Sequence, residues 1–295
     1  MIKPQFLNLV NSSFLLWLDN QILSKGSGMQ KVSSYFYPIS SNINGKYIYS
    51  SPYQPIVFNE NISGGITMTG VYLSGSLINR NQSNLFGFNY ARGQVIFNND
   101  VGDYTKVSGT YYVPEVQVLP LNVDETKLMF ETKLDLRPKT SSPLPTGINN
   151  DSITYPALYV KSPLTVNNKE FAFGGWDNSI IHLDVFVFAE SIYQCDCIKS
   201  ILLDSTHSHV PLLTPDKFPL NAYGDLKNTG VNFNYNNTIS GYIGPSGLYI
   251  SDVTVTTFNR FYNAEFNKLN PDVHWAIAEF TLERPRLPRS LTNNL

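Results

Sequence analysis

The stretch Trp176–Leu203 constrains this chain more than any other. It follows a Gly-Gly turn and runs into ten strand-like residues, Ile180 to Ala189. Alternation puts Ile181, Leu183, Val185 and Val187 on one face and His182, Asp184, Phe186 and Phe188 on the other. Large apolar groups on both faces predict a strand in the middle of its sheet. Ser191 then meets Gln194 three residues on, the spacing of a capping box, in which each side chain bonds an otherwise orphaned backbone N–H. Beyond the cap, Ile192, Cys195, Ile198, Ile201 and Leu202 recur at helical spacing, with Lys199 and Asp204 turned outward. A buried strand feeding an amphipathic helix is a packed α/β unit. No glycine-rich phosphate loop joins the two, so it reads as scaffold rather than as a nucleotide site.

That unit belongs to a chain of 295 residues, long enough for one large domain or two ordinary ones. Charge is scarce at 15% and nearly balanced at −2, so no broad basic face points to nucleic acid and no acidic tail to a solvating arm. Aromatics at 13%, with abundant Asn, Tyr and Gly, give the texture of β-rich proteins that meet other proteins through broad contacts. Cys195 and Cys197 lie two apart on the predicted helix, where about 100° per residue turns them to different sides and prevents a bridge. Without a disulfide framework, the chain reads as one matured in a reducing cytoplasm. Phe6–Leu23 resembles the apolar part of a signal peptide, but Asn8, Asn11, Ser12, Ser13 and Asp19 interrupt it. No run reaches the length of a membrane span, so a soluble, non-secreted protein without a membrane partner is expected.

Four segments are expected. Residues 1–30 hold a helix, Gln5–Ser24, with Pro4 inside its start and Gly26 and Gly28 past its end. Its apolar residues nearly encircle it, so it is buried in its own domain or against another subunit. Residues 31–120 switch to period two with frequent turns and read as a β-sandwich-like or β-barrel-like module. Within it, Asn89–Phe97 and Gly109–Val113 read as adjoining antiparallel strands. Residues 121–284 form an α/β core that oligomerises. It holds a strand at Leu128–Leu136, a Pro/Gly/Asn loop at Thr140–Asn150, a strand at Thr154–Lys161 and the opening unit. An irregular Pro211–Asn228, a solvated Asn-rich loop at Asn232–Ser240, and strands Leu248–Arg260 and Val273–Glu283 follow. Residues 285–295 carry prolines at 285 and 288 and are expected to leave the sheet, as a frayed end or an extended basic arm. The fold class is therefore α+β, a mixed or antiparallel sheet with packed helices plus the β module.

Chemistry is harder to find. His207 and His209 follow Cys195 and Cys197, but cysteines diverging around a helix do not make the paired ligands of a structural zinc site. His182 and Asp184 share a strand face near Asp177 and Glu190; a catalytic carboxylate pair needs facing groups on separate elements. No Gly-x-Ser-x-Gly elbow, Walker loop or His-Glu-x-x-His is present. Neither enzymatic activity nor a cofactor is expected.

Five stretches resemble a family of virion structural proteins of large tailed bacteriophages, T4-like cyanophages in particular. They are Lys3–Asp19, Phe130–Thr140, Thr154–Lys161, Phe171–Asp177 and Asn270–Pro288. The resemblance implies a particle component, located in the virion and assembled in the host cytoplasm, and carries over no site residue. A charge-poor chain with an apolar terminal helix, a Pro-rich loop and a basic C-terminal arm suits a permanent ring in which arms cross subunit boundaries. The leading expectation is a ring-forming neck protein, a tail terminator or head-closure component. Its partners would be copies of itself and other neck, tail or baseplate proteins, with non-specific contact to passing DNA. The expected interface residues are Arg137, Lys139, Tyr111, Tyr112, Arg284, Arg286 and Arg289. Two alternatives are a baseplate or fibre-attachment module that recognises a host glycan or a fibre, and a virion-associated hydrolase.

Overall fold

A computed structural model describes residues 6–39, 45–62, 68, 70–102, 106–121, 156–161, 166–172, 176–221, 225–227, 233–240, 247–257 and 273–286. Helix α1 spans Phe6–Gly26. Eight strands follow: β1 (Met29–Tyr35), β2 (Tyr37–Pro38), β3 (Tyr47–Ser50), β4 (Gly70–Leu73), β5 (Ser76–Asn79), β6 (Leu85–Asn89), β7 (Gln94–Phe97) and β8 (Val107–Pro114). Next come β9 (Gln117–Leu121), β10 (Ala157–Lys161), β11 (Val166–Ala172), β12 (Trp176–Ala189), helix α2 (Ile192–Leu203) and β13 (His209–Val210). A short helix α3 (Tyr235–Ile239), β14 (Leu248–Thr257) and β15 (His274–Arg286) complete the described chain. The class is α+β, dominated by antiparallel sheets with few helices.

The strands form three sheets. Two have four strands, in the orders β1-β8-β4-β5 and β2-β3-β7-β6. The third has seven, in the order β13-β14-β15-β12-β10-β9, with β11 also paired to β12. Among the described residues every ladder is antiparallel except β9–β10. All of β9 but Leu121 falls in the segment expected as the β module, yet it pairs in the seven-stranded sheet.

β12 is central, as its two apolar faces predict. Ile181, Leu183, Val185 and Val187 are fully buried on one side, and Phe186 and Phe188 are buried on the other. It begins four residues before the predicted Ile180, because β11 and β15 both extend the ladder back toward Trp176. Ser191 caps α2 by accepting the Gln194 N–H at 3.2 Å. Only half of the box forms: Gln194 Oε1 is buried without a hydrogen-bond partner.

Other expectations are corrected. Gly109–Val113 does not adjoin Asn89–Phe97. β6 and β7 close on each other, whereas β8 takes β1 along seven register pairs from Met29↔Pro114 to Tyr35↔Ser108. A long match with a distant strand outweighs sequence proximity. The β15 ladder does not stop before Pro285; it runs on to Asn178↔Pro285 and Asp177↔Arg286. β14 pairs with β15 only as far as Glu283, so Pro285 has a single neighbouring strand there, and an edge tolerates a missing N–H. Asn232–Ser240 is not a solvated loop. Asn234 caps α3 through the Asn237 N–H at 3.0 Å, and Phe233 and Tyr235 are buried. The expected strand Leu128–Leu136 and loop Thr140–Asn150 lie outside the described residues.

One apolar core joins the helices to all three sheets. Val10, Phe14, Trp17, Leu18 and Ile22 of α1 are buried in it, which settles the helix against its own protomer. Phe14 meets Phe280 of β15 edge-on at 5.1 Å. Cys195, Ile198 and Leu202 bring α2 onto the same side of the large sheet. Full burial of each such side chain stabilises the fold by about 1.5–3 kcal/mol. A second cluster, on the other side, contains Ala157, Tyr159, Phe186, Phe188, Val273 and Trp275.

Candidate functional site

The expected contact residues disperse. Tyr111 is interior: it is 1% exposed, its ring lies 5.5 Å from Phe36, and its hydroxyl bonds Ser34 and Ser51. Desolvation pushes that phenol up to about 12. Tyr111 therefore offers no outer surface, because inward and outward residues alternate along β8 and it falls on the inner side. Tyr112 is half-buried and points the other way. Arg284 is half-buried, with its guanidinium 5.4 Å from the centre of the Phe6 ring at the start of α1. Arg286 closes β15. Arg137, Lys139 and Arg289 lie outside the described residues.

The candidate chemical groups are also separated by their partners. His182 faces Thr281 Oγ1 at 3.4 Å, while Asp184 lies 3.8 Å from Lys161 Nζ. His207, in a left-handed conformation at φ 67°, places Nδ1 2.6 Å from the Tyr249 hydroxyl. The His209 ring lies 5.4 Å from the same tyrosine. Burial raises the Cys195 thiol above its ordinary value, and Cys197 is exposed. Among the described residues, no three His, Cys, Asp or Glu side chains are placed to hold a metal.

Sequence reasoning missed one buried ionic cluster. Arg80 pairs with Asp225, and its other terminal nitrogen donates to the Tyr90 hydroxyl at 3.2 Å. The Arg80 guanidinium stands 5.6 Å from the Phe88 ring centre. Asp225 Oδ1 also accepts the Leu226 N–H at 2.7 Å. A side chain on Gly87 would collide with the Asp225 carboxylate, so glycine makes room for the pair. Desolvation leaves the Asp225 carboxyl above its ordinary value even though Arg80 pulls it down. Each of these groups is anchored by the others, which makes the cluster a fastener between the small sheets and the segment after α2.

A cleft of about 470 Å³ opens where the end of α1, the β8–β9 turn and the first half of α2 meet. Ile22, Ile198 and Ile201 supply its apolar side. Gln30, Glu115, Glu190 and Gln194 supply polar groups, and no Lys, Arg or His is among the lining residues. Both glutamates are exposed. The walls are tied locally: the Glu115 N–H donates to the Gly28 carbonyl at 2.6 Å. A Cβ on Gly26 would come within 3.2 Å of Ile201, so glycine brings α1 close to α2. At the mouth stand Cys197 and Tyr193, the latter 79% exposed. The cleft can take an apolar group flanked by cations or hydrogen-bond donors.

A second surface lies across the sheet β1-β8-β4-β5. The register sets Tyr35 opposite Ser108, Ser108 opposite Tyr72, and Tyr72 opposite Leu77. Directly paired residues point to one side, so the four form a row about 14 Å long. Tyr35, Tyr72 and Leu77 are all exposed.

No family model matches this chain, and no curated protein matches it either. Among the described residues, no helix is long and apolar enough to cross a membrane.

Proposed function

We propose that this chain is a non-enzymatic structural subunit of a tailed-phage virion, assembling with copies of itself into a ring at the head–tail neck as a tail terminator or head-closure component. The observation that carries the reading is the outward side of α2. There Ile192, Tyr193 and Leu203 stand 62%, 79% and 46% exposed. Large apolar groups grouped on one helix beside an open cleft suit burial by another chain. The five stretches that resemble virion proteins supply the particle context. The seven-stranded sheet with its two long helices is the assembling core in this reading. The paired four-stranded sheets are a sandwich-like module turned toward the adjoining ring or the outside. Light scattering on the purified chain, with electron microscopy of the same sample, tests it: a closed ring of fixed copy number is expected. A monomer at every concentration overturns it.

The tyrosine row favours a second reading, a baseplate or fibre-attachment module whose outer sheet meets a glycan or a fibre. Tyrosine rings spaced along a strand-crossing line offer stacking faces and hydroxyls together. Under that reading, particles carrying Tyr35→Ala and Tyr72→Ala assemble normally and lose adsorption. Under the neck reading they adsorb as before.

A further inference from the structure

We propose that the acidic cleft at the head of α2 receives the basic C-terminal arm of a neighbouring copy, so that Glu115 and Glu190 of one protomer bind Arg286 and Arg289 of the next. The inference rests on the self-assembly reading above and specifies its contact.

Charge and shape agree. The cleft joins two exposed carboxylates to an apolar side and carries no cation in its lining. After Glu283 the chain carries Arg284, Arg286 and Arg289 and no acid, with Leu287 between the last two arginines. Guanidinium groups match carboxylates with paired hydrogen bonds, and an intervening leucine suits Ile22, Ile198 and Ile201. Gln194 Oε1 adds a buried acceptor at the wall that lacks a donor.

Distance makes the contact intermolecular. Arg284 sits on Phe6 at one end of α1, and Gly26 lines the cleft at the other end. Twenty-one helical residues separate these ends by about 30 Å. β12 measures the same gap independently. Its Asn178 lies opposite Pro285, whereas Glu190 directly follows its last residue, a separation of about 40 Å at the rise of a strand. Arg289 stands three residues past Arg286, about 10 Å even when extended. The arm's arginines therefore cannot reach the cleft of their own protomer. A partner whose arm end meets this cleft presents a different surface from the one it contacts. Such a contact is heterologous, and repeated contacts of that kind close into a ring or run on as a filament.

Charge reversal on the full chain tests the pairing. Glu115→Arg with Glu190→Arg, or Arg286→Glu with Arg289→Glu, is expected to weaken self-association about tenfold with the circular dichroism unchanged. Combining all four changes restores it to within about twofold. As a second measurement, Ser290→Cys is oxidised gently beside the native Cys197 at the cleft mouth. A ladder of disulfide-linked dimers, trimers and higher species is expected, and Cys197→Ser abolishes it. Suppose the native chain associates but neither reversal weakens it, the four changes together do not restore it, or no ladder forms. The arm-in-cleft contact is then wrong, while self-assembly stands. Rescue of the cleft reversal by Arg137→Glu with Lys139→Glu would make a different segment the occupant and also overturn the proposal. A native chain that stays monomeric at every concentration overturns the self-assembly reading itself.

Discussion

The seven-stranded sheet and the sheet β1-β8-β4-β5 use their faces in different ways. The large sheet buries Leu183, Val185, Ala278 and Phe280 under α1 and α2. At one end of its other face it also buries Phe186, Phe188 and Trp275. The small sheet buries Val107, Tyr111 and Val113 on one face, and at one end of the other face Met29 and Tyr112 pack against Leu23, Val57 and Ile62. The rest of that second face carries Tyr35, Ser33, Thr110, Ser108 and Tyr72. A strand buried on both sides has few tolerable substitutions, whereas one buried on one side leaves alternate positions open to recognition. The first sheet therefore supplies rigidity, and the second supplies a surface that can vary without unfolding the protein.

The largest expected effect that bears on this contrast is Phe280→Ala. It removes a fully buried ring that packs edge-on against Phe14, and should cost about 3–5 kcal/mol in urea unfolding. A cost below about 1 kcal/mol would mean that the helix-covered face is no tighter than the small sheet. Next is Asp19 on α1, whose carboxyl burial pushes up to about 7 from an ordinary 3.8. The folded protein then holds a proton that the unfolded chain releases, so stability present below pH 4 is lost as pH rises toward 7. Because Asp19 is only half-buried, water reaching it holds the loss to about 2 kcal/mol. Asp19→Asn should flatten that slope in melts taken from pH 4 to pH 8; an unchanged slope would show that another group sets it. The smallest effect belongs to Tyr35→Ser with Tyr72→Ser, expected to move stability by less than about 0.5 kcal/mol each. A larger loss would show that the outer row is part of the packing after all.

The same contrast explains what could be read in advance. β12, α2 and the inner side of β15 were legible because burial leaves periodicity in the residues themselves: Ala276, Ala278, Phe280 and Leu282 alternate as expected. Strand partners were not legible. β8 chooses β1 from across the module, and no local pattern records that choice. The Arg80–Asp225 pair was invisible for the same reason, since 145 positions separate its members. The cleft had no signature either, because Ile22, Glu115 and Glu190 belong to three distant segments. The short α3 was hidden by its asparagines, which mark turns and helix caps alike. Asn234 caps α3, and Asn59 accepts the Tyr235 N–H at 3.1 Å.

The seat of α1 has a consequence for synthesis. Phe14 leaves the ribosome 266 residues ahead of Phe280, the ring it packs on, a delay on the order of 10–50 s at ordinary translation rates. β9 can meet α1 well before then, but the flank that carries Phe14 waits for β15. Nascent chains of this protein would thus be natural clients for a holdase, and crowded polysomes would be the place where misassembly begins.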